Sequence, residues 1–352
     1  MLRESASSTV SPVRAQPRSL MAAEMAETPV VLHHLLGTRP GLFDALRRAP
    51  RPLAGIVLLG RGSSEYAARY GRHLLELTTG RPAALLPPDR SGPTRRDSYR
   101  GYLAVGVSPS GETEEIVDGL AELRRAGALT VGLTARISSP LSSTADIVVD
   151  LCSGIERSVQ ATKTFVASLA GLALLADVLG DGIWSLSDWR RLIASIEALL
   201  DDPLPAARAA ARLQPGDHIA CVGQGLLRPV AGDAALKLRT AAQLTADAHW
   251  QGSGSEGPVA GTDQRRPVIG FADLAPDGDD TRRLLEGVVR LGGGPTILVD
   301  QAPGADVPLP ADVRPALLPP AAALRAQQLA LAAALQHGLN PETGPSPFER
   351  KA

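Results

Sequence analysis

Aromatic side chains are scarce in this chain: Phe, Tyr and Trp together make up 3% of it. A surface that stacks single-stranded bases needs several of them, so that function class has little support. There is no surplus of positive charge either. Lys and Arg number 36 against 37 Asp and Glu, for a net charge of -1. A protein that grips nucleic acid through its phosphates carries a basic excess. No apolar run approaches the roughly 20 residues that cross a bilayer, so no membrane association is expected. Cysteine occurs twice, at Cys152 and Cys221. Each sits beside an apolar run, where a free thiol acts as a small hydrophobe. No Cys/His spacing resembles a zinc site, and neither a metal nor another cofactor is expected. The first twenty residues lack the apolar stretch of a signal peptide. A cytoplasmic protein is therefore expected, with Met1 to Leu20 a disordered leader and Met21 an alternative start.

What is present is apolar and aliphatic. Hydrophobic residues make up 44% of the 352, enough for real cores, and at roughly 150 residues per domain the length suggests two domains. Short runs rich in branched residues alternate with helix-like stretches. Gly55–Leu59, Tyr102–Val107, Leu129–Thr134 and Asp146–Leu151 read as buried strands, with helices over Glu65–Leu77 and Glu114–Arg125 between them. Thr162–Leu179 is a long apolar helix, buried or at an interface, and Leu186–Leu200 is amphipathic. The pattern then restarts with strands at His218–Val222, Pro267–Phe271 and Pro295–Asp300. Helices are expected over Pro229–Leu244, Asp280–Arg290 and Ala321–Gln336. Runs of this kind indicate parallel sheets covered on both faces, the doubly wound α/β class. The strings LLGRGSS (58–64) and CVGQGLL (221–227) both read strand, Gly-x-Gly, helix, so the two halves look like copies. The expected architecture is therefore tandem doubly wound parallel-sheet domains with flanking helices. A leader spans 1–20, opening helices 21–50, the first domain 51–180, a helical linker 181–204, the second domain 205–338 and an irregular tail 339–352.

The strongest chemical signal is Ser108-Pro109-Ser110-Gly111-Glu112-Thr113, between a buried strand and a helix start. The first N–H groups of a helix lack internal partners, and the helix dipole adds partial positive charge there. Gly111 lets the backbone approach a ligand, and Ser108, Ser110 and Thr113 add hydroxyls. This is an anion cradle without a lysine, distinct from a Walker loop or a dinucleotide fingerprint. Its plain alternative is an ordinary helix cap. A second Ser/Gly turn, Gly60-Arg61-Gly62-Ser63-Ser64, follows an earlier strand of the same sheet. Both turns face the crevice where open α/β sheets bind ligands. The combination favours a phosphate-bearing small molecule.

Taken with Gly154-Ile-Glu156-Arg-Ser-Val159-Gln-Ala-Thr162-Lys163-Thr-Phe165, these motifs resemble the sugar isomerase (SIS) family. Within it, the chain is most similar to the isomerase half of the glucosamine-6-phosphate synthases. The opening Met21-x-x-Glu24-Met-x-Glu27-x-Pro29 resembles that family's first helix, and the likeness runs from Met21 to Gly338. It implies a ligand of the hexose or amino-hexose 6-phosphate class. It implies that Ser108, Ser110, Gly111 and Thr113 hold the phosphate, that Ser63 and Ser64 touch phosphate or sugar, and that Val159 lines the sugar end. It also implies a homodimer, and no glutaminase activity, because the glutaminase segment is not in this sequence. One departure is Pro109, where the family has Gln.

The catalytic motifs depart further. Aldose–ketose conversion needs a base to move a proton between adjacent carbons and an acid for ring opening. The family's base is a Glu in a sequence like LKLKE. Here the segment reads Leu236-Lys237-Leu238-Arg239-Thr240, and Thr240 stands at that position. The family's Lys-His-Gly-Pro loop becomes Ser255-Glu256-Gly257-Pro258, with Glu256 in place of the His. Lysine occurs three times, at Lys163, Lys237 and Lys351. Lys237 and Glu256 are the candidate catalytic groups, Lys163 reads as structural, and Lys351 is a poorly aligned stand-in for the family's terminal lysine. Asp247 and His249 read most simply as loop residues. Two functions follow as expectations: a sugar-phosphate isomerase or amino-sugar phosphate deaminase with rearranged catalytic groups, or a non-catalytic sensor of the same ligand.

Overall fold

A computed structural model describes residues 19–47, 49, 52–87, 97–249 and 265–343 of the chain. Three short helices open it: α1 (Leu20–Ala26), α2 (Thr28–Gly37) and α3 (Arg39–Leu46). The first sheet then builds up as β1 (Gly55–Leu59), α4 (Ser63–Thr79), β2 (Ala83–Leu85), β3 (Tyr102–Val107), α5 (Glu114–Arg125), β4 (Leu129–Thr134), α6 (Pro140–Thr144) and β5 (Ile147–Asp150). Its order is β2-β1-β3-β4-β5, and every pairing is parallel. β1 is buried at all five positions, as expected of a strand covered on both faces.

Helices α7 (Lys163–Leu179), α8 (Leu186–Asp201) and α9 (Leu204–Ala210) lead to the second half. Every residue from Lys163 to Val178 is buried. A helix apolar all round belongs inside, and α7 packs on α4, α2 and α12 (Pro319–Gln336) within this one chain. The second sheet comes from β6 (His218–Gly223), α10 (Arg228–Ala241), β7 (Thr245–His249), β8 (Val268–Ala272), α11 (Pro276–Arg290), β9 (Thr296–Asp300) and β10 (Val307–Pro308). Its order, β10-β9-β8-β6-β7, is the first sheet's order over again, and it too is parallel throughout.

The layers run α5, first sheet, a central slab of α4, α7, α10 and α12, second sheet, α11. One continuous apolar cluster fills the slab and touches both sheets, and two smaller ones lie under α5 and α11. α4 and α10 cross closely at Gly232, where a Cβ would stand 2.3 Å from the Tyr66 ring. That glycine leaves room for the Tyr66 ring at the crossing.

The doubly wound reading holds, with differences at the sheet margins. β2, β7 and β10 were not expected. They are edge strands, short or polar, and so lack the apolar run that marks a central strand. Asp247 and His249 lie on edge strand β7 rather than on a loop. The helix expected from Asp280 begins earlier, at Pro276. The stretch 1–18 of the expected leader and 344–352 of the expected tail fall outside the described residues. Among described helices none is long and apolar enough to cross a membrane.

Candidate functional site

Strand order reverses in the first sheet between β1 and β3, the switch point at which open α/β sheets bind ligands. After β1 the chain turns through Gly62 at φ +60°, and α4 starts on Ser63 and Ser64. After β3 it turns through Gly111 at φ +67°. A Cβ on Gly111 would lie 2.0 Å from Ser139 Oγ and 2.3 Å from Ser139 Cβ. Only glycine fits there, for reasons both of backbone and of space. The loop is pinned from the β4 side: the Pro109 carbonyl accepts the Ala135 N–H at 2.9 Å, and the Gly111 carbonyl accepts the Leu141 N–H at 3.0 Å.

This folding gathers the expected hydroxyls. Ser108 Oγ is 2.9 Å from Thr113 Oγ1 and 3.4 Å from Ser110 Oγ. Thr113 is the N-cap of α5, so the cluster sits where that helix's first N–H groups emerge. Ser108 is buried and Ser110 exposed. Ser110 opens onto a cleft of about 440 Å³, lined with it by Pro109, Arg136, Glu156, Val159 and Thr164 among others. Ser110 and Val159, the one expected at the phosphate and the other at the sugar, therefore face one space.

The far wall of the cleft is the irregular segment between β5 and α7, and carboxylates shape it. Glu156 accepts from the Thr162 N–H at 2.7 Å and from the Thr162 hydroxyl at 2.6 Å, and also from the Thr164 hydroxyl. Burial pushes its carboxyl above the usual range, against the pull of those hydrogen bonds. Glu24 of α1 accepts the Arg157 N–H at 2.6 Å and the Ser158 N–H at 3.0 Å. Lys163 pairs with Glu27 at 2.7 Å and stands 3.8 Å from Glu24. Glu342, near the chain's end, accepts from both the Ser158 hydroxyl and the Met21 N–H. The opening helices thus brace the wall, and Lys163 sits where a structural reading put it.

The catalytic candidates are arranged differently. Lys237 is 1% exposed, paired with Asp233 one helical turn earlier, and its Nζ lies 4.6 Å from the centre of the Phe165 ring. It is not among the residues lining the cleft. Burial pushes the Asp233 carboxyl up, against the Lys237 ammonium and the Ser63 hydroxyl that draw it down. Ser63 therefore points to α10 of the second half. Thr240 donates to Gln160 Oε1 at 2.5 Å, joining α10 to the cleft's far wall. Glu256 and Lys351 fall outside the described residues. The sequence reading missed Arg136, the bracing role of Glu24 and the Thr240–Gln160 contact. Each depends on chain segments distant in sequence, and no local pattern announces it. Among the described residues, no group of three His, Cys, Asp or Glu side chains could hold a metal ion.

Residues 54–177 match the family described as SIS domain. Over 305 residues the chain is 30% identical to the isomerizing glutamine–fructose-6-phosphate aminotransferase of Thermus thermophilus, covering 82% of this chain and 50% of that enzyme. The chain spans about half the length of the curated relatives it matches. Solved structures share the fold. One is the C-terminal domain of glucosamine-fructose-6-phosphate aminotransferase from Francisella tularensis, with a TM-score of 0.79 at 19% identity over 94% of this chain and 100% of that one. Another is glucosamine-6-phosphate deaminase from Thermotoga maritima, with a TM-score of 0.73 at 20% identity over 93% of this chain and 98% of that one.

Proposed function

From a chain that carries a SIS domain and is homologous to the isomerase part of glutamine–fructose-6-phosphate aminotransferase, we propose a protein that binds a hexose or amino-hexose 6-phosphate at the switch point of its first sheet and interconverts it as an isomerase or deaminase. The observation that carries this reading is the gathering of the Ser108, Ser110 and Thr113 hydroxyls at the start of α5. Hydroxyl donors beside unpartnered helix N–H groups suit a phosphate. With the phosphate there, the sugar extends past Val159 into the cleft, over the wall braced by Glu156 and Glu24. Of the two ionisable groups at the family's catalytic segments, Lys237 is sealed from the cleft by Asp233 and Phe165, so moving a proton between adjacent sugar carbons falls in this reading to Glu256. The active form in this reading is a cytoplasmic homodimer.

A second reading is favoured by one contact. Thr240, where the family has its glutamate, sets its hydroxyl between Gln160 Oε1 and the Leu236 carbonyl. An uncharged group in that place suits a protein that binds the sugar phosphate and signals its presence without turning it over. Proton NMR of fructose 6-phosphate with ammonia, glucose 6-phosphate and glucosamine 6-phosphate, each mixed with the protein, separates the two. The isomerase reading expects conversion that a Ser110→Ala variant loses. No conversion together with saturable binding supports the sensor. Absence of both binding and conversion refutes either role.

A further inference from the structure

We propose that Arg136 is the cation that reads the ligand's phosphate charge, an assignment that rests on the sugar-phosphate reading above. Within the hydroxyl loop the N–H groups of Ser110 and Thr113, with those of α5's first turn, are the backbone donors left for a dianion. Pro109 has no N–H. The Ser108 N–H goes to the Leu133 carbonyl at 3.1 Å, the Gly111 N–H to the Ser108 carbonyl at 2.8 Å and the Glu112 N–H to Ser110 Oγ at 3.2 Å. The surroundings are also acidic. Glu112 closes the loop, and Glu114 and Glu115 occupy the first turn of α5, where they oppose an incoming anion. Hydroxyls and amides are uncharged, so in that setting no full positive charge of the loop itself faces a dianion.

Arg136 answers the need. It follows β4 and lines the same cleft as Ser110. Its backbone is fixed, the N–H by Thr134 Oγ1 at 3.1 Å and the carbonyl by the Ser142 hydroxyl at 3.1 Å. Its guanidinium is held by Glu112 at 2.6 Å, in a pair whose side chains are 47% and 54% exposed. A pair that open to water contributes little and exchanges readily. A phosphate monoester in the cleft offers the guanidinium fork a stronger, bidentate partner. The neighbouring cation Arg61 sits in a similarly open pair with Glu115 but does not line the cleft. Arg136 is thus a binding residue for the phosphate, and Glu112 keeps it in place until the ligand arrives.

The test is calorimetric titration of the full chain with glucosamine 6-phosphate and, separately, with inorganic phosphate. Arg136→Gln is expected to weaken both by a similar factor, roughly tenfold or more, whereas Arg61→Gln changes neither. Glu112→Gln is expected to tighten binding, and that gain disappears in the Glu112→Gln/Arg136→Gln double variant, since the two residues act as one unit. Unaltered affinity in Arg136→Gln, with loss in Ser110→Ala, overturns the assignment and leaves the cradle standing. A gain from Glu112→Gln that survives without Arg136 also overturns it. If the unmodified chain binds neither probe, the sugar-phosphate reading itself fails.

Discussion

At the scale of single residues, the site depends on positions that tolerate no replacement. Gly111→Ala would combine a left-handed backbone with a Cβ driven into Ser139. The two effects together should cost about 2–5 kcal/mol and displace the loop that carries Ser110. Urea unfolding should report the lost stability, and phosphate binding should vanish; a variant with the parent's midpoint would contradict the steric argument. Lys237 poses a different question. Its ammonium is sealed against Asp233 and Phe165, so Lys237→Met leaves a buried carboxylate unpaired. A loss of about 3–5 kcal/mol is expected. Asp233→Asn/Lys237→Met should lose less than Lys237→Met alone. Parent-like stability in Lys237→Met would remove the structural role. The serine and glycine loop was legible in the sequence because all its parts lie within six consecutive residues. Arg136 and Gln160 were not, since what makes them matter is their neighbours across the fold: Ser110 from another loop, Thr240 from the other half.

At the scale of elements, the opening helices work as a brace. Glu24 on α1 holds two consecutive N–H groups of the cleft's far wall and is itself buried. Glu24→Gln keeps the shape but turns one acceptor into a donor facing an N–H, at a cost of about 1–3 kcal/mol. The consequence for binding should be selective. In the proposed binding mode inorganic phosphate does not reach the wall, so its affinity should stay near the parent value. Glucosamine 6-phosphate, whose sugar would lie along the wall, should lose affinity several-fold. Equal losses for both ligands would mean that α1 supports the whole site rather than this wall. The central strands and long helices were readable because burial on both faces writes a continuous apolar run. The edge strands were not. β7 reads Thr245-Ala-Asp-Ala-His249, whose polar side chains face water, and its strand character comes from its pairing with β6.

At the scale of the whole molecule, the two sheets share one core, so the halves should unfold together. Polar ties cross the same junction. Asp188, in the first turn of α8, accepts from the Ser185 hydroxyl at 2.6 Å and from Arg314, ahead of α12, at 2.9 Å. These bonds, Ser185 first and then Arg314, hold its carboxyl down at about 2. The sign of the pH effect follows. A carboxyl whose pKa is depressed on folding stabilises the native state fully above the unfolded value of about 3.9. That contribution is lost as the pH falls from about 4 toward about 2, because the unfolded chain takes up the proton first. Asp188→Asn removes the titration. Its stability deficit against the parent, read from urea midpoints, should therefore be constant above about pH 5 and shrink steadily between about pH 4 and about 2. Tryptophan fluorescence and far-ultraviolet circular dichroism should trace one coincident transition at each pH, since Trp184 and Trp189 lie in the shared core. Two separated transitions would show that the halves are independent units, and a deficit that does not shrink in acid would remove Asp188 from the pH dependence.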